Sequence, residues 1–203
     1  MKVSFSRPRL SQRRIGKITA SQVWKLFDDE ERESYIHYLV AERLGMRDDA
    51  EKASYAFAWG RKHESSALRM VGEYFGDEVL YVDFIEPKVG ELVGWFGATP
   101  DGYLRNNKLY VEVKSMSKAT VCEFAKTQMI PERHKWQIIA GMVAAGVNEW
   151  IYAMYHPDVP IEDRAFLIVK YICNKKEKEL LVEKVLEAIE EIKKNLREWE
   201  VEV

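Results

Sequence analysis

The hydrophobic residues of the chain recur with two different spacings, and the spacing changes along the sequence. In six segments they repeat every three to four residues, which is typical of amphipathic helices. The last of these segments, for example, carries Leu181, Val185 and Ile189 at this spacing. Helices are therefore predicted over 19–27, 34–44, 54–75, 118–127, 131–145 and 175–199.

Between the helices, short apolar runs bounded by turn-forming residues indicate β-strands. They are predicted over 79–85, 92–98, 109–114, 149–155 and 166–172. Pro100-Asp101-Gly102 and the pair Asn106-Asn107 separate the second and third strands, which predicts that these two strands pair in a meander. The predicted fold is α/β, with a central sheet flanked by helices.

The composition of the chain limits the possible classes of protein but does not indicate a function. With 203 residues, of which 47% are hydrophobic, the chain is expected to form one domain. No apolar segment reaches the roughly 18 residues that cross a bilayer, and no apolar stretch follows the N-terminus as in a secretory signal. A cytoplasmic protein without membrane contact is expected. The two cysteines and four histidines lack the spacing of zinc ligands.

The charge of the chain is unevenly distributed. The formal net charge of −2 provides no overall attraction for nucleic acid. Residues 1–17, however, contain only basic charges, whereas the predicted C-terminal helix is rich in glutamate and dilutes the total. This basic N-terminal arm is the candidate surface for contact with an anionic partner.

The candidate chemistry lies around the middle strands. Residues two apart on a strand share a face, so Glu112 and Lys114 are expected to project together while Val111 and Val113 point to a buried side. Asp101, in its Pro-Asp-Gly turn, is expected to reach the same place if the strands pair. The ordinary alternative is a solvated ion pair worth about 0–1 kcal/mol beside an ordinary turn.

Two carboxylates at the edge of a sheet suit Mg²⁺ or Mn²⁺, which prefer oxygen ligands and retain several waters. The carbonyl oxygen of Val113 is a further candidate ligand. A metal held in this way polarises a phosphate and activates water, and a neighbouring lysine orients that water or stabilises negative charge. The residues alone therefore leave two interpretations equally open, a site for phosphodiester hydrolysis and a solvated ion pair beside a turn.

Five segments, in the same order, resemble the phage lambda exonuclease family of viral recombination nucleases, a branch of the PD-(D/E)xK superfamily. They are RIGKITAS at 14–21, AWGRKHE at 58–64, TPDG at 99–102, EVK at 112–114 and WQIIAGM at 136–142. The resemblance implies a restriction-endonuclease-like core with a central mixed sheet and an N-terminal helical region. It also implies that Asp101 and Glu112 bind the metal, that Lys114 assists the water, and that Glu64 and Gln137 line the site.

The N-terminal segment of the resemblance implies recognition of a DNA end. Arg14 and Ser21 are expected to form a pocket for the 5′-terminal phosphate, for which a guanidinium fork and a hydroxyl are suitable donors. Phe57 is expected to wedge between the two DNA strands at the end of the duplex, although a phenylalanine of the protein core is the alternative. Arg32 is a candidate for a further phosphate contact, and Glu91 stands where the family tends to have another acid near the site.

The resemblance implies a 5′-to-3′ exonuclease that degrades one strand of linear double-stranded DNA and leaves 3′ single-stranded tails for recombination. It further implies a homotrimeric ring, a single-strand annealing protein as partner, and a phage or prophage origin in a bacterial host. The expected division is a single nuclease domain, with an end-binding part at 1–50, a catalytic core at 54–172 and a closing helix at 175–199. The alternatives are an endonuclease or single-strand nuclease with the same core, or an inactive DNA-end-binding subunit.

Overall fold

The computed structural model of the chain describes residues 12–46, 55–159 and 166–200, with only the backbone described over 55–62. The helices are α1 (Asp29–Arg43), α2 (Tyr55–Phe75), α3 (Lys118–Thr127), α4 (Glu132–Ala145) and α5 (Lys175–Glu198). The strands are β1 (Ile18–Thr19), β2 (Val79–Leu80), β3 (Phe96–Gly97), β4 (Gly102–Leu104), β5 (Leu109–Lys114), β6 (Glu149–Tyr155) and β7 (Phe166–Ile172). Short 3-10 helices cover Gln12–Arg14 and Val23–Phe27.

Five of the strands form a mixed sheet in the order β2-β4-β5-β6-β7. Strands β5 and β6 run parallel, and the other three pairs are antiparallel. A parallel neighbour needs a crossover connection, which α3 and α4 supply between β5 and β6. The prediction of an α/β fold with a central mixed sheet flanked by helices is confirmed.

Both faces of the central strands are covered, which changes the environment of the candidate residues. Val111 and Val113 pack with Leu68 and Val71 of α2 in one apolar cluster. The opposite face of the sheet belongs to a larger cluster that includes α4 and α5. The predicted alternation along β5 is therefore correct, but the Glu112 side is also buried, since that residue is only 3% exposed.

The N-terminal region differs from the sequence prediction. A helix was expected over 19–27, but Ile18–Thr19 forms a strand parallel to β3, and only Val23–Phe27 is helical, as a 3-10 helix. The next helix begins at Asp29 rather than at 34, because the Asp28 side chain accepts hydrogen bonds from the backbone N–H groups of Glu30 and Glu31. Acidic residues in the first turn favour this start through the helix dipole.

The strands predicted over 79–85 and 92–98 are much shorter in the structure. Only Val79–Leu80 and Phe96–Gly97 are strands, and a single bridge joins Ile85 to Ala98. The hairpin partner of β5 is β4, within the segment that sequence analysis assigned to turns. The turn at 90–95 explains the difference, because it contains Gly90 and Gly94 with positive φ and interrupts an extended run.

The helices after residue 54 lie close to their predicted ranges. Helix α3 matches 118–127, α4 begins after Pro131, and α5 ends one residue before 199. The predicted start of α2 at residue 54 lies outside the described residues. Among the described helices, none is long and apolar enough to cross a membrane.

Candidate active site

The pairing of β4 with β5 brings Asp101 to the candidate strand. The Asp101 N–H donates to the carbonyl oxygen of Val111 at 3.0 Å, and the Val113 N–H donates to Asp101 Oδ2 at 2.8 Å. The next residue must be small, because a Cβ at Gly102 would lie 2.5 Å from Val79 Cγ1. The Pro-Asp-Gly turn therefore allows close packing of β4 and places a carboxylate beside β5.

Glu112 lies on β5 between two donors. Its Oε1 accepts a hydrogen bond from Lys114 Nζ at 2.6 Å and another from Gln137 Nε2 at 2.6 Å. Gln137 comes from α4, which covers this face of the sheet. A buried carboxylate is costly unless it is paired and hydrogen-bonded, and these two side chains provide both kinds of contact.

Lys114 remains an ammonium in this environment. Burial lowers the pKa of its amine, but the negative charges of Glu112, Asp101 and Glu64 outweigh burial and raise the pKa above its ordinary value. Glu64, on α2, is half-buried. The structure therefore brings together the five side chains for which the family resemblance implies catalytic roles. A protonated lysine can orient a nucleophile or stabilise negative charge, but it cannot accept a proton.

The backbone of β5 adds a further oxygen on the Asp101 side. The N–H and C=O groups of one strand residue point to the same edge, and the Val113 N–H points to Asp101. The Val113 carbonyl therefore faces the same edge, beyond the end of β4. Within the described residues, no group of three or more His, Cys, Asp or Glu side chains could hold a metal ion. Asp101, Glu112 and this carbonyl offer oxygen atoms, the kind of ligand that Mg²⁺ prefers.

Sequence analysis did not identify His134 and Tyr152, which lie next to these residues. His134 Nδ1 is 2.9 Å from the Tyr152 hydroxyl, and Tyr152 is the register partner of Glu112 on β6. Burial, together with the positive charges of Lys114 and Arg133, lowers the pKa of His134 to about 3, so its ring is neutral. One signal was available, because a residue three positions before Gln137 lies on the same helix face.

The second group of predicted residues forms a separate cluster of hydroxyls and a guanidinium. Arg14 Nη2 donates to Ser21 Oγ at 3.4 Å, a long hydrogen bond, and Thr19 Oγ1 lies 3.4 Å from the same oxygen. The Thr19 N–H donates to the Tyr35 hydroxyl at 3.2 Å. Burial raises the pKa of Tyr35 to about 12, so its hydroxyl stays neutral. The structure thus brings Arg14 and Ser21 together.

The pairing of strands β1 and β3 lies between the Arg14–Ser21 cluster and the residues around Asp101. Thr19 pairs with Gly97, and the Ala20 N–H donates to the Gly97 carbonyl at 2.9 Å. Beyond this pairing, one segment leads to Ser21 and the other leads through 99–100 to Asp101. In that second segment, the buried Thr99 hydroxyl has no hydrogen-bond partner among the described residues.

Three other predicted residues lie elsewhere or outside the described part of the chain. Arg32 donates to Glu191 of α5 at 2.6 Å, away from the carboxylates, and its predicted phosphate contact stays a prediction. Glu91 is exposed beside α4 and α5, at a groove lined by Val143 and Val182, and not among the carboxylates. The Phe57 side chain and residues 1–11 of the basic arm lie outside the described residues.

The fold is similar to those of two solved exonucleases. The alkaline exonuclease LHK-Exo from Laribacter hongkongensis superimposes with a TM-score of 0.83 and 22% identity, over 92% of this chain and 93% of that chain. Its complex with dAMP gives a TM-score of 0.81, also at 22% identity, over 92% of each chain. A phage-related exonuclease from Haemophilus somnus 129PT gives 0.68 at 14% identity, over 90% of this chain and 96% of that one.

At these identities the similarity concerns the fold alone. A search of curated protein sequences found no match. The model of one sequence family does match, over residues 10–148, which include all five segments that carry the resemblance to lambda exonuclease. The chain therefore belongs to the YqaJ-like viral recombinase domain family.

Proposed function

We propose that this protein is a Mg²⁺-dependent exonuclease that degrades one strand of linear double-stranded DNA from its 5′ end. The observation that carries the proposal is the arrangement on β5, where Asp101 binds the Val113 N–H and Glu112 lies 2.6 Å from Lys114. A binding module would not need a lysine two residues after a buried acid. The family and the fold of known exonucleases support the same activity.

Asp101, Glu112 and the Val113 carbonyl would hold the Mg²⁺, and Mn²⁺ suits the same oxygen ligands. The bound metal would polarise the scissile phosphate and lower the pKa of an attacking water. Lys114, as an ammonium, orients that water and stabilises the charge that develops on the phosphate. Gln137 holds Glu112 in place from α4, and Glu64 adds negative charge on the α2 side.

Arg14 and Ser21 support end recognition. Their contact places a guanidinium and a hydroxyl together, a suitable combination for a terminal phosphate. The pairing of β1 with β3 lies two residues before Ser21 and four residues before Asp101, which supports a fixed spacing between this cluster and the carboxylates. A phosphate bound there would fix the position of the first nucleotides relative to the carboxylates.

Three further parts of the proposal rest on the family. Phe57 would separate the two strands at the duplex end. The protein would act as a homotrimeric ring around the duplex, and a single-strand annealing protein would receive its 3′ tails. Each of these can be tested independently of the chemistry.

The test is digestion of linear duplexes with 5′-phosphate or 5′-hydroxyl ends, with covalently closed circles as a control, in Mg²⁺ and in EDTA. We expect Mg²⁺-dependent loss of the 5′-phosphorylated strand and no cutting of circles. Lys114→Met should abolish cutting while retaining DNA binding. Cutting of circles would refute end recognition, and no cutting of any substrate would refute the nuclease.

A further inference from the structure

A second contact network lies at the end of α1, against the turns that precede β1 and β3. Arg43 Nε donates to the Gly16 carbonyl at 2.7 Å, and Arg43 Nη2 donates to the Gly94 carbonyl at 3.0 Å. Arg43 Cζ also lies 3.5 Å from the centroid of the Trp95 ring. This half-buried side chain therefore joins the two turns and is held against an aromatic surface.

The turn at Gly16 packs closely against the Arg43 side chain. Gly16 has a φ of 65°, and a Cβ there would lie 2.5 Å from Arg43 Cγ. Its N–H donates to Glu42 Oε2 at 2.8 Å, so neighbouring residues of α1 bind both polar groups of this glycine. The turn is therefore fixed to α1 by hydrogen bonds and by close packing.

The two turns lead directly into the strands that connect the parts of the proposed site. Strands β1 and β3 pair in parallel, and the Ile18 N–H donates to the Trp95 carbonyl at 2.8 Å. Strand β1 then leads to Ser21, and β3 leads to Asp101. Arg43 thus holds together the starts of two segments, one of which leads to Ser21 and the other to Asp101.

We propose that Arg43 is a positioning residue that sets the spacing between the 5′-phosphate pocket and the carboxylates, and hence the bond at which the strand is cut. The inference rests on the proposed exonuclease function. The planar guanidinium makes two hydrogen bonds while it stacks on Trp95. An ammonium is a point charge that cannot reproduce this combination. Lysine at this position should therefore loosen the register and preserve the charge.

The test compares the full chain with Arg43→Lys and Gly16→Ala, with Arg69→Lys as the matched control in an exposed ion pair of α2. Product lengths, kcat and KM are measured on 5′-phosphate and 5′-hydroxyl duplexes, at a temperature where circular dichroism finds every variant folded. A misplacement of about 1 Å can reduce a rate about 100-fold. We expect kcat on the 5′-phosphate substrate to fall between about 10- and 100-fold in both variants, with products of more than one length.

Two results separate this inference from the proposed function. If the wild type prefers 5′-phosphate and Arg14→Gln loses that preference, the pocket stands. Unchanged end preference and product length in folded Arg43→Lys would then overturn the positioning role. If the wild type has no preference for a 5′-phosphate, the end-recognition part of the proposed function fails first. Gly16→Ala perturbs the same contact from the other side, so the double variant should lose no more activity than either single variant.

Discussion

Removal of the Lys114 ammonium is expected to destabilise the protein, because Glu112 would then be left buried with one donor fewer. The two side chains form an ion pair at 2.6 Å, with 24% of the lysine and 4% of the glutamate side chain exposed. Breaking a buried pair by removing one partner costs about 3–5 kcal/mol. Since Gln137 keeps its hydrogen bond to Glu112, we expect the lower end, about 3 kcal/mol, for Lys114→Met.

The measurement is a double-mutant cycle by urea denaturation in EDTA, with Lys114→Met, Glu112→Gln and the double variant. In the double variant neither charge remains, so its loss should be smaller than the sum of the single losses by about 2 kcal/mol. Arg69→Met is the matched control, because it breaks a pair of 2.5 Å whose side chains are 58% and 61% exposed. We expect that control to change the free energy of unfolding by less than about 1 kcal/mol.

Additive losses, or a loss in Lys114→Met no larger than in the control, would refute the reasoning, because the pair would then behave as a surface pair. Repeating the cycle in Mg²⁺ adds a test of the proposed ligands. A cation bound to Asp101 and Glu112 would offset the missing ammonium, so the loss in Lys114→Met should shrink. An equal loss in EDTA and in Mg²⁺ would count against these ligands.

Three further predictions concern stability and reactivity. Gly102→Ala should cost about 1–3 kcal/mol by overpacking against Val79, as measured by urea denaturation, and a neutral effect would show that β4 can shift. Burial raises the pKa of Asp77, but hydrogen bonds from Asn107 and its neighbours lower it to about 2. The stability that these hydrogen bonds give the ionised carboxylate is present above the ordinary pKa of 3.8 and is lost as pH falls towards 2. The melting temperature of Asp77→Asn, measured in thermal scans, should therefore depend less on pH over this range than that of the wild type. Burial, assisted by a nearby carboxylate, raises the pKa of the Cys173 thiol to about 11, so iodoacetamide at pH 8 should label this thiol only after unfolding. Rapid labelling of Cys173 in the folded protein, as distinct from labelling of the exposed Cys122, would contradict its burial.

Periodicity was sufficient for the elements that bury a continuous apolar face. Helices α3 and α5 and strands β5, β6 and β7 lie within a residue of their predicted bounds. It failed where local contacts competed with the pattern. Asp28 begins α1 early by capping it, and β4 has only three residues, too few for alternation to reveal it.

The candidate chemistry could be named from the sequence, but its environment could not. The residue types and the spacing of Asp101, Glu112 and Lys114 predicted a shared site, and the order of the five segments indicated the family. Neither could predict that Arg32 would pair with Glu191, because that contact joins residues 159 positions apart. The same limit applied to His134, whose place beside Tyr152 depends on how α4 lies over the sheet.

The sequence by itself therefore determined the alternation on β5, the turn that carries Asp101 and the identity of the charged groups, because these depend on local backbone geometry and side-chain chemistry. Only the tertiary structure decided the burial of Glu112, since burial requires α4 to cover the second face of the sheet. Only the tertiary structure placed the segment that leads to Ser21 beside the segment that leads to Asp101, because the paired residues of β1 and β3 are 78 positions apart. Contacts at that separation depend on the packing of the whole domain.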